Sequence, residues 1–139
     1  MTEIKLTVLG VPKAQGRHKH FQRGKFSGTY DPSSAKKETF ASILQAEAPE
    51  TPISTPIALN VIFYMPRPKA HYGTGAKSEM LKDTAPEMQS SKPDIDNLVK
   101  FVQDSLNGIF YKDDALICSL SANKIYSDRP RTEIVLKTL

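Results

Sequence analysis

The sequence predicts an α+β fold, a small mixed β-sheet with two main helices packed on it, in a single domain over residues 1–139. Three observations lead there. Residues 3–8 and 57–65 alternate apolar and polar side chains, as half-buried strands do. Two other stretches, following Asp31 and Asp96, repeat apolar residues at helical spacing. The resulting order is strand, helix, strand, long loop, helix, strand, strand, which suits a mixed sheet with helices on it.

In the first strand Ile4, Leu6 and Val8 share a face, opposite Glu3, Lys5 and Thr7. Gly10 to Tyr30 is polar, basic and dotted with glycine, and reads as a loop or irregular hairpin. Asp31-Pro32-Ser33-Ser34 opens a helix with a serine at its N-cap. Phe40, Ile43 and Leu44 form its apolar stripe, and Pro49 and Pro52 end it. The second strand puts Ile57, Leu59, Val61, Phe63 and Met65 on one face. Residues 66–92 hold Pro66, Pro68, Gly73, Gly75 and Pro86 without an apolar period, and are expected to form a long mobile loop. A helix follows from about Asp96, with Leu98, Phe101 or Val102, Leu106 and Ile109 as its stripe and Gly108 as its stop. Leu116 to Tyr126 and Thr132 to Lys137 are the closing strands, joined by a turn at Ser127-Asp128-Arg129-Pro130.

A chain of 139 residues is long enough for a real core, and 39% hydrophobic with 24% charged residues describes a soluble globular protein. No apolar run reaches the roughly 18 residues a membrane span needs. Residues 1–12 lack the pattern of a signal peptide. Cys118 is the sole cysteine, so no internal disulfide forms and a cytoplasmic setting is expected. In a strand it is expected to be a buried small hydrophobe.

The net charge of +4 is unevenly spread. Residues 1–40 carry Lys5, Lys13, Arg17, Lys19, Arg23, Lys25, Lys36 and Lys37 against Glu3, Asp31 and Glu38. Residues 94–114 carry aspartates 94, 96, 104, 113 and 114 against Lys100 and Lys112. A polyanion partner for the first region and a cation for the second account for that asymmetry.

The acidic segment has the chemistry of a hard-cation site. Mg²⁺ takes oxygen ligands and keeps several waters, so one to three carboxylates suffice. In an extended stretch, Asp94 and Asp96 point to one face, about 7 Å apart at their Cα atoms. Asp96 is a natural N-cap for the helix that follows. Lys100 lies one turn on, where an ammonium can reach a phosphate oxygen. Asp113 and Asp114 stand where the chain enters a strand, and one of them can join the same cation. The same residues also suit a plainer reading, a capped turn before a helix and a solvated turn before a strand. Without a His or Cys cluster, zinc is not expected. His18 and His20 sit among Arg17, Lys19 and Arg23, which favours phosphate or solvent over a metal. Gly73-x-Gly75 lacks the strand-to-helix setting of a nucleotide loop, so no nucleotide cofactor is expected.

Lys92-Pro93-Asp94-Ile95-Asp96-Asn97-Leu98-x-Lys100 resembles the central motif of the RusA-type Holliday junction resolvases. So does Asp104-x-Leu106-Asn107-Gly108-x-x-Tyr111-x-Asp113-Asp114, at matching spacing. Gly10-x-Pro12-x-Ala14-x-Gly16-Arg17, Phe63-x-Met65-Pro66-Arg67-Pro68, and Lys124-x-Tyr126 with Arg129-Pro130-Arg131 resemble the family's basic loop, strand exit and tail. The resemblance implies a small homodimeric Mg²⁺-dependent endonuclease (Mn²⁺ can substitute), often of phage or prophage origin. Its substrate would be four-way branched DNA, nicked symmetrically in recombination and repair. It implies catalytic and metal-binding roles for Asp94, Asp96 and Asp114, with Asp113 adjoining, and a catalytic role for Lys100. Lys13, Arg17, Lys19, Arg23 and Lys25, with Arg67, Lys69, Lys92 and Lys124, are the expected DNA contacts. Residues 66–92 look longer than the family minimum, and the basic run before the acidic motif is thinned to Lys92. Two other functions use the same features: a nuclease of broader branched-DNA or flap specificity, and a non-catalytic DNA-binding module.

Overall fold

Alternation along residues 57–66 puts Ile57, Leu59, Val61, Phe63 and Met65 on one face, and all five are buried. In the computed structural model, which describes residues 2–139, that stretch is an interior strand of a four-stranded sheet. The elements in chain order are β1 (Glu3–Leu9), β2 (Lys19–Arg23), β3 (Phe26–Tyr30), α1 (Ser34–Leu44), β4 (Ile57–Pro66), α2 (Ile95–Leu106), β5 (Ile117–Ser127) and β6 (Arg131–Thr138). The sheet order is β1-β6-β4-β5. β6 pairs antiparallel with β1 and β4, whereas β4 and β5 are parallel. A parallel pair needs a long crossover, which the loop after β4 and α2 provide. The expected mixed sheet with two helices is therefore the observed one.

One sheet face carries the core. Leu6 and Val8 of β1 and Ile134 and Leu136 of β6 join the β4 residues there. α2 contributes Leu98, Phe101, Val102 and Leu106, and α1 contributes Phe40 and Leu44. Phe40 and Phe101 meet edge to face with centroids 5.5 Å apart, which locks the two helices together. α2 ends at Leu106 because Asn107 turns extended (φ −63°, ψ 132°). Gly108, the expected stop, instead takes φ +80° in the tight turn that follows, closed by Ile109 N–H to Leu106 O at 3.1 Å.

Four details differ from the sequence expectation. The α1 stripe is narrower, since Ile43 is 58% exposed while Ala41 is buried. The helix also stops at Leu44 and tightens into a 3₁₀ turn, Gln45–Glu47, before either proline. Ser33 does occupy the N-cap position, but its hydroxyl accepts a hydrogen bond from Gly16 N–H at 2.8 Å instead of capping the helix. Cys118 is exposed rather than buried: it lies on the edge strand β5, where residues 118–121 are all exposed, beside a register shift in which Ile57 faces Ile117 and Ala58 faces Ser119.

Gly10 to Tyr30 resolves into a hairpin, β2–β3, that pairs with no other strand. The segment after β4 holds two 3₁₀ turns, Lys69–His71 and Gly75–Lys77, and its end runs along β5. There Tyr126 N–H donates to Glu87 O at 2.8 Å and Gln89 N–H to Lys124 O at 3.2 Å. No helix among the described residues is long and apolar enough to cross a membrane.

Candidate functional site

The acidic segment forms the start of α2. Asp94 is the N-cap residue, with extended backbone at φ −69° and ψ 144°, and Asp96 lies in the first turn. The helix thus begins one residue earlier than the sequence suggested. Asp94, not Asp96, stands at the cap, and the two aspartates do not share one extended stretch. The Asp94 side chain makes no capping bond, and Asp96 Oδ1 accepts the N–H of Asn97 at 3.0 Å. Both aspartates are exposed at a helix end that favours negative charge. One turn on, the Lys100 ammonium lies 3.3 Å from Asp104 Oδ2, with the side chain 58% exposed.

After α2 the chain turns through the buried Tyr111, whose hydroxyl donates to Gln103 O at 2.6 Å. Asp113 precedes the 3₁₀ turn Asp114–Leu116 and accepts the N–H of Ala115 at 3.1 Å. That N–H is the main cause holding the Asp113 carboxyl below its ordinary pKa. The Asp114 carboxyl is pushed up, first by its hydrogen bond with Asp113, then by partial burial and the charges of Asp113 and Asp104. Lys100 pulls it the other way. Burial, with Asp114 and Asp104 nearby, likewise pushes the Tyr111 phenol up. Lys100, Asp104, Tyr111 and Asp114 therefore share one electrostatic neighbourhood. Asp96 and Asp104 are two helical turns apart, about 12 Å along the axis. Among the described residues, no group of three or more His, Cys, Asp or Glu is gathered closely enough to hold a metal ion.

Sequence reasoning missed a second feature, an ion-pair relay behind the site. Lys37 Nζ lies 2.6 Å from Asp31 Oδ2 and 3.0 Å from Asp104 Oδ2. Asp31 also receives Gln15 Nε2 at 2.7 Å and Ser33 N–H at 2.8 Å. No local spacing pairs residues 31, 37 and 104, so only the packing of α1 on α2 reveals them. Burial works to lower the Lys37 pKa, but the bonds to Asp31 and Asp104 outweigh it and leave it raised. The Lys37 hydrogen bond is the main cause holding Asp31 down, from 3.8 to about 2. Ionised Asp31 therefore stabilises the fold above about pH 4, and that contribution is lost as the pH falls through about 2. Asp31→Asn is expected to cost about 1–2 kcal/mol at pH 7. Thermal melts of wild type and variant should converge as the pH is lowered toward 2.

The expected DNA-contacting residues divide into two groups. Lys13, Arg17, Lys19, Arg23, Lys25, Lys69 and Lys92 are exposed. Arg67 and Lys124 are half-buried and engaged internally. Arg67 Nη1 donates to Pro86 O at 2.8 Å, and its guanidinium lies 5.3 Å from the Tyr126 ring centroid. Lys124 Nζ donates to Ser91 O and Pro93 O, both at 2.8 Å, and so pins the chain immediately before Asp94 onto β5. The N-terminal basic arm is docked too, since Gln15 N–H donates to Asn97 O at 3.0 Å. Lys13 and Arg17 each lie two residues from that bond in the chain, and Lys13 lines a cleft with Lys36, Thr39 and Ile43 of α1.

A family model described as Endodeoxyribonuclease RusA matches residues 10–137, nearly the whole chain. The chain belongs to the RusA endodeoxyribonuclease family. Members are crossover junction endodeoxyribonucleases, hydrolases of phosphodiester bonds that act on branched DNA and generally depend on a divalent metal ion. The chain is also similar to the uncharacterized protein YqaN of Bacillus subtilis (strain 168), at 37% identity over 96% of this chain and 95% of that one. RusA membership agrees with the resemblance carried by the 92–100 and 104–114 motifs.

Proposed function

We propose that this RusA family member is a Mg²⁺-dependent, homodimeric resolvase that cuts four-way DNA junctions by paired symmetric nicks in recombination and repair. The observation that carries this reading is the Gln15–Asn97 hydrogen bond, which sets a basic arm against the acidic start of α2. That contact supports a site in which phosphate-binding cations and oxygen ligands for a cation would work side by side.

The donor set suits a hard divalent ion. Asp94, Asp96 and Asp114 offer only carboxylate oxygens, with Asp113 adjoining. Asp94 makes no capping bond, and Asp114 is raised by crowding with other acids, a strain that a cation relieves. When bound, such an ion supplies an activated water and stabilises charge on the phosphoryl oxygens. The chain's own groups do the rest. Lys13, Arg17 and the hairpin cations hold the DNA backbone. Lys100 swings from Asp104 to a phosphate oxygen and offsets the negative charge that grows as the bond breaks. Lys124 keeps the Pro93–Asp94 peptide in place against β5. A two-fold dimer presents two identical sites, as symmetric cutting of like strands requires.

The test compares four-way, Y-shaped and linear duplex DNA at one salt concentration, with and without Mg²⁺. The expected result is metal-dependent nicking confined to the four-way junction, at paired positions. Comparable rates on four-way and Y-shaped DNA with the linear duplex spared would instead establish a broader branched-DNA or flap nuclease, and equal rates on all three would remove the junction claim. Salt-sensitive binding with no turnover under either condition would leave a DNA-binding module.

A further inference from the structure

The β2–β3 hairpin has a side that the core does not use. Its register sets Lys19 opposite Tyr30, Phe21 opposite Gly28, and Arg23 opposite Phe26. Alternation sends these six residues to one face and His20, Gln22, Ser27 and Thr29 to the other. On the first face Phe21 lies across Gly28 so closely that a Cβ there would stand 2.9 Å from the ring. The Phe26 ring follows, 6.0 Å from Phe21 and tilted by 39°. Phe26 is 67% exposed and Tyr30 49% exposed, and neither joins the core cluster. Aromatic surface left in water forgoes the free energy that burial would bring, so folding alone does not account for it.

Aromatic rings interleaved with cations on one ribbon face are the pattern that holds unpaired bases: rings stack on the bases while Lys and Arg follow the backbone. A continuous duplex hides its base faces, whereas a branch point leaves base steps with an unstacked side. We propose that the Lys19–Phe21–Arg23–Phe26–Tyr30 face is a stacking platform for the unstacked base faces exposed at the branch point. It would make the enzyme prefer junctions to duplex. This rests on the branched-DNA reading above. The Gln15–Asn97 bond at the root of the arm would place the branch beside the acidic start of α2.

Two experiments, both run without metal, test the platform separately from cleavage. The chain contains no tryptophan, so Phe26→Trp introduces a single indole that can be excited apart from the tyrosines. A four-way junction is expected to quench it and a linear duplex of equal length is not. Phe26→Ala combined with Tyr30→Ala is expected to weaken junction binding about tenfold or more, with duplex binding within about twofold. Its salt dependence should not change, because no charge is removed. Phe26→Leu, apolar but unable to stack, should not restore the junction preference. Equal quenching by both DNAs, equal loss of both affinities, or full rescue by leucine would each overturn the proposal. If wild type fails to nick junctions while the quenching difference persists, the nuclease reading fails and the platform stands.

Discussion

Asp94→Asn is expected to reduce Mg²⁺-dependent junction nicking by at least about 10³-fold, while junction binding is kept or tightened. Asparagine preserves the size and the N-cap preference, so α2 still starts at the same residue. What it removes is one negative charge at the point where, on the proposed reading, a cation and a phosphate would meet. Repulsion toward the DNA backbone falls by the same change, which is why affinity should not drop. Asp114→Asn should behave alike. The cleavage rate at saturating DNA, set beside gel-shift affinity, separates the two effects. Nicking by Asp94→Asn at the wild-type rate would show that the residue is not part of the reacting site.

Lys124→Met should lower the nicking rate by about 10²-fold and leave DNA affinity almost unchanged. Its ammonium is committed to Ser91 O and Pro93 O, so it holds Asp94 in position from below. Methionine keeps most of the apolar stem but leaves two carbonyls without their charged donor, a loss of about 1.5–3 kcal/mol. The segment before α2 then drifts, and small displacements of reacting groups are costly. A phosphate-contacting lysine would give the opposite split: weaker binding, a salt slope reduced by about one, and a preserved rate at saturation. Measuring the rate at saturation, the affinity and the salt slope on one variant therefore decides between the two roles.

Much of the fold is legible in the sequence because burial follows local periods. The β4 alternation and the α2 stripe from Leu98 to Leu106 are each read from residues near one another in the chain and are buried as expected, whereas Ile109, counted in that stripe, lies past the helix end and is half-buried. Ile43 and Cys118 are misread for the converse reason. Each has the residue type of a core position, but the width of the α1–sheet contact and the edge position of β5 are tertiary facts. The helix that carries the acidic motif is legible too, although its N-cap is Asp94, two residues before the expected Asp96. The supports of the site are not legible at all. Lys37 reaches across from α1 to Asp104, and Lys124 reaches back 31 residues to Pro93. Nothing in composition or spacing distinguishes those two lysines from the exposed basic residues around them. That is why Lys124 reads as a DNA contact in the sequence and as an internal brace in the fold.

Acids from the start of α2 and from the turn before β5 are expected to serve one hard cation. Mn²⁺, added at substoichiometric amounts to isotopically labelled protein, tests it through paramagnetic broadening of amide signals. Broadening of residues 94–97 and 113–115 together, lost in parallel in Asp94→Asn, is the expected result. Broadening of one segment without the other, or of neither, would contradict it.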